Sequence, residues 1–180
     1  MSLPPFQRAL GASWSNLPPS LQEFHGSAEP RIYQGQADIT RGQNQLARMI
    51  ASLFRFPPAG RQVPVTVTIT PDGDGEIWAR QFATHQLRSH IHSPKPGEIV
   101  ERFGPFAFTL PLELTEDGLS LPVAYGSILG LPLPKALLPR SEAREIATPN
   151  GFRFDIRLSL PLLGLMVHYQ GSLTPQEDRK

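Results

Sequence analysis

Phe106-Ala107-Phe108-Thr109-Leu110-Pro111-Leu112-Glu113-Leu114 puts its large apolar side chains at every second position, and Asp117-Gly118 then turns the chain. Side chains alternate across a strand, so this period marks a strand with one face on a core and the other in solvent. The same rhythm returns in Leu119, Leu121, Val123 and Tyr125, and again in Phe152, Phe154, Ile156, Leu158 and Leu160. After Leu162-Leu163-Gly164 it continues through Leu165, Val167 and Tyr169. Working back, Val63 to Thr70 alternates, and Pro71-Asp72-Gly73-Asp74-Gly75 is a turn signal leading into Glu76 to Phe82. Leu87 to His92, Glu98 to Phe103 and Ser141 to Ala147 read as further strands. Parallel pairing needs crossovers of a dozen or more residues, and none follows Val63, so the pairing is antiparallel. About nine strands exceed what a flat sheet carries, which predicts a strongly curved meander, either an open or a closed barrel.

The N-terminal third follows a different period. Pro4-Pro5 can open a helix through Leu10 with Gly11 as its stop, and Pro18-Pro19 can open another to Gly26. Arg31 to Thr40 reads as the first strand. Leu46, Met49, Ile50, Leu53 and Phe54 recur at i, i+3, i+4, i+7 and i+8, which predicts an amphipathic helix from Gln43 to Phe54. That helix falls between the first two strands, lies over the concave face or its mouth, and stops at Pro57-Pro58. The class expected is therefore α+β, mainly β, with N-terminal helices.

Length and composition narrow the function. The 180 residues suit one domain, taken as residues 1–174, with a polar tail at 175–180. Lys plus Arg number 17 against 16 Asp plus Glu, so the basic field that nucleic-acid binding needs is missing. There is no cysteine, which excludes disulfides and thiolate metal sites and suits a cytoplasmic location. The longest apolar run, Leu160 to Val167, is interrupted by Pro161 and Gly164 and is far short of the roughly 20 residues of a membrane span. No secretory signal is read at the N-terminus. The 20 prolines are about twice the usual share of roughly 5% and are read as strand ends, bulges and turns.

Few residues suggest chemistry. Trp78, Arg80 and Phe82 share a strand face, expected to be the concave one. A guanidinium between two rings can stack on them or reach the anionic head of a ligand. The alternatives are a stem that packs while its head meets water, or an ion pair with Glu101. His90 and His92 form an H-x-H on one strand face, half of a metal site at best, and no metal is assigned. Arg88, His90 and His92 more simply form a wet face opposite Leu87, Ser89 and Ile91. His25 is read as an isolated helix-end histidine and His168 as a surface one. Glu142, Arg144, Glu145, Asp155 and Arg157 are read as cross-strand ion pairs on a wet face. G-x-S-x-G and glycine-rich phosphate loops are absent from the sequence, so no nucleophile elbow or nucleotide cofactor is assigned.

A set of motifs spans nearly the whole chain. It includes Leu17-Pro18-Pro19, Phe24-His25, Phe56-Pro57-Pro58-Ala59-Gly60, Trp78-x-Arg80-x-Phe82 and Glu101-Arg102-Phe103-Gly104-Pro105. It continues with Leu129-Gly130-Leu131-Pro132-Leu133-Pro134, Glu142-Ala143-Arg144-Glu145, Phe152-x-Phe154-Asp155 and Leu160-Pro161-Leu162-Leu163-Gly164. The combination resembles the bacterial family catalogued as domain of unknown function 4166. The resemblance implies a domain that stands alone or is appended to reductase-like dinucleotide-binding domains. It implies no activity, cofactor or catalytic residue.

The function expected is binding of an apolar or amphipathic small molecule, for instance a long-chain acid, on the concave side of the sheet. Trp78, Arg80, Phe82 and Glu101 are the ligand-binding candidates. One alternative is a cofactor-independent isomerase or hydrolase using His90, His92 or Glu101 as acid or base. Another is a module that docks on a reductase-like partner through a sheet edge or Leu129 to Leu138.

Overall fold

A computed structural model describes residues 3–176, so the end of the expected polar tail lies outside the described residues. Two short helices come first: α1 (Pro5–Leu10) and, after a 3-10 turn over Gly11–Asn16, α2 (Pro19–Gly26). Proline occupies the first turn of both, where its missing N–H has no intrahelical partner to lose. Then come β1 (Arg31–Arg41), α3 (Gln45–Leu53), β2 (Gly60–Asp72), β3 (Gly75–Phe82), β4 (His85–Lys95) and β5 (Glu98–Phe103). The second half holds β6 (Phe106–Pro111), β7 (Glu113–Leu114), β8 (Gly118–Ser120), β9 (Tyr125–Ile128) and β10 (Leu131–Pro132). A 3-10 turn over Lys135–Leu137 precedes β11 (Arg140–Thr148), β12 (Gly151–Leu160) and β13 (Gly164–Pro175).

All strands join one antiparallel sheet of 13 in the order β10-β9-β6-β5-β4-β3-β2-β1-β13-β12-β11-β8-β7. The count of about nine is therefore corrected: proline divides two of the expected runs, and Leu131–Pro132 adds β10, which alternation did not mark. A proline cannot donate to a ladder, so the run through Pro111 divides into β6 and β7 and the run through Pro122 into β8 and β9. The pieces then pair at opposite ends of the sheet, β6 with β5 and β7 with β8. Tyr125, placed with Leu119 and Leu121 by alternation, is exposed because the break resets the register. The barrel is also not closed, since β10 and β7 remain as edges.

Connectivity nevertheless forces the sheet to curl. Leu112 alone joins β6 to β7. In a flat sheet of this order those strands would stand on the order of 50 Å apart at about 4.8 Å per strand, which one residue cannot bridge. The crossing segments bond to both halves: Leu121 donates its N–H to Ala143 O at 2.9 Å and Ala124 to Thr109 O at 2.9 Å.

One end of the curl is plugged. α1 packs on β4 and β5 and α2 on β11 and β12, so the helix pair ties the two halves together. Phe6, Leu21 and Phe24 are fully buried there, and the Phe24 ring contacts Tyr33, Trp78 and Phe152. At the other end α3 packs on β13, while the Phe54 ring beyond it lies 4.4 Å from that of Phe106 on β6. Asn44 caps α3 by accepting from the N–H groups of Leu46 and Ala47. Arg41 fixes its position, donating to Phe56 O, Pro57 O, Arg48 O and Ser52 Oγ.

Candidate functional site

Between plug and mouth the curled sheet encloses a cavity of about 530 Å³. Its walls come from both halves: Leu87, Ile91, Ile99 and Phe108 face Ala143, Ile156, Leu158 and Met166. The apolar positions picked out by alternation thus divide. Phe152 and Phe154 on β12 are buried, whereas Ile156, Leu158 and Leu160 on the same face are half-buried and line the hollow. α3 adds Leu46, Ile50 and Leu53 to the wall, and the segment after β10 adds Leu133 and Leu137. The polar members of the lining are Arg80, Glu101, Ser141, Glu145 and Tyr169.

Two polar clusters face this apolar space. In the first, Arg80 on β3 donates through Nη2 to Glu101 Oε1 on β5 at 2.9 Å and through Nη1 to Ser89 Oγ on β4 at 2.9 Å. Ser89 Oγ in turn donates to Glu101 Oε1 at 2.7 Å. The guanidinium also sits 4.8 Å from the centre of the Trp78 ring. Of the alternatives weighed for Arg80, the ion pair with Glu101 is the arrangement found. Its charge is met within the protein, so an anionic head would have to displace a carboxylate. Trp78, Arg80 and Glu101 line the main cavity, whereas Phe82 lines a smaller hollow of about 50 Å³ beside it. Ser89 was legible as a lone polar residue at an inward position between Leu87 and Ile91.

The second cluster overturns two readings. His25 stands in the last turn of α2, but it is fully buried and not isolated, its Nε2 lying 2.6 Å from Glu145 Oε2. Glu145 is not on the wet face: it is 7% exposed, on the inner face of β11 beside Ala143, while Glu142 and Arg144 point outward. Alternation from Ala143 could have placed Glu145 inside, but nothing local pairs it with a residue 120 positions earlier. The His25 ring stacks on Phe6 at 3.8 Å, and its buried Nδ1 has no hydrogen-bond partner among the described residues. The single Nε2–Oε2 hydrogen bond, covered by the Phe6 ring, thus ties the end of α2 to the inner face of β11. Beneath them Glu76 accepts from Arg31 Nη2 at 2.8 Å and from Trp78 Nε1 at 3.0 Å, which fixes the indole at the cavity floor.

Tyr169 on β13 completes the lining. Burial, then the Glu101 charge, push its hydroxyl up to about 12 against the opposing pull of Arg80. The phenol therefore stays neutral and can donate a hydrogen bond into the hollow. A glycine makes room at this level. At Gly171, opposite Phe154, a Cβ would come within 2.0 Å of the Gln36 carbonyl oxygen and 2.8 Å of the Phe154 ring.

His90 and His92 lie away from this site. His90 Nε2 is 3.5 Å from Asp72 Oδ2, and neither ring lines the cavity. Burial, and then the neighbouring His90, hold the His92 imidazole below its ordinary pKa. Among the described residues no group of three or more His, Asp or Glu side chains is placed to hold a metal ion. His168 pairs with Asp155 at 2.8 Å on the outer face. No helix among the described residues is long and apolar enough to cross a membrane.

A family model matches residues 17–173, from the turn before α2 to within two residues of the end of β13. The chain belongs to the domain of unknown function DUF4166. The matched DUF4166 span contains both polar clusters and nearly all of the cavity wall, leaving out only the Phe6 contribution of α1. Neither a curated protein nor a solved structure matches the chain significantly.

Proposed function

We propose that this DUF4166 domain binds an apolar small molecule carrying one uncharged hydrogen-bonding head, inside the curled sheet. The observation that carries the reading is the hollow itself: about 530 Å³ of mostly apolar wall with a few convergent polar groups. Small-molecule sites run from about 300 to 1,000 Å³ and share that composition. The head is uncharged because Arg80 and Glu101 already neutralise each other, so a hydroxyl or carbonyl can join their network without displacing either. Ligand contact by Trp78, Arg80 and Glu101, with Phe82 packing behind them, belongs to this reading.

A Trp14→Phe variant leaves Trp78 as the single tryptophan reporter at the cavity floor. Its fluorescence should change saturably with long-chain alcohols or ketones, and less with the corresponding acids. Replacing Arg80 and Glu101 together by Leu removes the head contacts without stranding a charge, and should weaken binding about tenfold. No saturable change with any member of the panel would refute the reading.

One observation favours a second reading, an acid–base enzyme without a cofactor. Glu145 presents a carboxylate to the cavity and is held from behind by His25. In that reading Glu145, and not His90 or His92, moves a proton on the bound molecule, with Tyr169 as hydrogen-bond donor to the oxygen that gains charge. Solvent deuterium entering a bound ketone in the wild type, and not in Glu145→Gln, would support it.

A further inference from the structure

We infer that the mouth of the cavity docks on an anionic lipid bilayer, from which the apolar occupant is exchanged; this rests on the binding reading above. The mouth is built by three segments: α3 with its flanks, the stretch from β10 to β11, and the β12–β13 turn. Leu46, Leu53, Leu137 and Leu162 each line the cavity and are also exposed, at 46%, 71%, 57% and 82%. A side chain that does both stands on the rim. Leu129 and Leu131 extend the same exposed apolar surface along the β9–β10 edge. Most of the large apolar side chains exposed among the described residues therefore gather on these segments, a concentration that marks an interaction surface.

Charge selects the kind of surface. The whole chain carries 17 cationic against 16 acidic residues, yet no Asp or Glu occurs between Ile39 and Pro71, Gly118 and Ser141, or Ile156 and Gln176. All three mouth segments fall inside those acid-free stretches. They carry Arg48, Arg55, Lys135 and Arg140, all exposed. Exposed leucines flanked by cations without carboxylates are the pattern of a protein face that enters the headgroup region of an anionic leaflet. A water-borne apolar ligand would also have to cross water alone, whereas a rim seated in lipid offers it a continuous apolar path into the hollow.

Flotation with phosphatidylcholine vesicles, with and without phosphatidylglycerol, tests the inference on the full chain. The wild type should float with the anionic vesicles and be released by salt. Leu129→Asp with Leu131→Asp, both outside the cavity wall, should cut flotation by about tenfold or more, while Lys135→Glu with Arg140→Glu should abolish the preference for anionic lipid. Thermal melts and the Trp78 titration show whether each variant keeps its fold and its ligand. Loss of flotation with ligand binding intact establishes the mouth as the docking face. A wild type that stays unbound, or a leucine variant that floats undiminished, overturns docking and leaves the ligand reading standing. A concentration-dependent dimer that buries the rim overturns it too. Flotation without any ligand response would retain docking and refute the ligand reading.

Discussion

The two ends of the curled sheet use the same period-two sequence pattern and reach opposite results. At the plugged end, inward strand residues such as Tyr33 and Phe152 are met by Phe24 of α2 and packed until almost no surface remains. At the mouth, inward residues such as Leu158 and Leu160 meet no such plug; α3 and the segment after β10 flank them and leave a hollow. Alternation specifies which side chains point inward. What fills the interior is decided by helices contributed from elsewhere in the chain. A strand pattern can thus predict a core and produce a cavity.

The contrast predicts unequal mutational costs. Phe24→Ala at the plugged end should destabilise by about 3–5 kcal/mol, whereas Leu162→Ala on the rim should stay within about 0.5 kcal/mol. Denaturant titration of both variants compares them, and equal costs would remove the distinction between the ends. The two polar clusters sharpen it further. His25→Leu leaves the Glu145 carboxylate buried without its partner and should cost about 3–5 kcal/mol. The Arg80 and Glu101 side chains are each 14% exposed, and replacing both together by Leu should cost clearly less.

Alkaline pH gives a smaller and more specific effect. Tyr33 and Tyr169 are both raised to about 12, chiefly by burial. Their phenols keep a proton in the folded chain at pH values where the unfolded chain, near 10, has lost it. Stability from these groups is therefore complete below pH 10 and declines as the pH rises from 10 towards 12. Melts taken across that range should show the decline, with a smaller decline in Tyr169→Phe.

Most of the sheet was legible because alternation is a local property: the inward sets on β3, β5, β6 and β12 follow from their own residues. The strand count was not, because Pro111 and Pro122 break runs whose halves then pair with distant strands. The open end was illegible for the same reason, since edge or closure depends on which strand becomes the neighbour. In the candidate site, Trp78, Arg80 and Glu101 could be read from spacing along short runs. The His25–Glu145 pair could not: it joins the last turn of α2 to β11, and only the packing of the helix plug brings them together.

A cavity-filling substitution separates a hollow interior from a filled one. Leu158→Phe places an aromatic ring into the space that Leu158 now borders. If that space is an empty binding site, the variant should melt at or above the wild-type temperature and lose the saturable Trp78 response in a Trp14→Phe background. If instead the variant melts many degrees lower, as overpacking of a filled core would require, or binds the amphiphile unchanged, the account is contradicted.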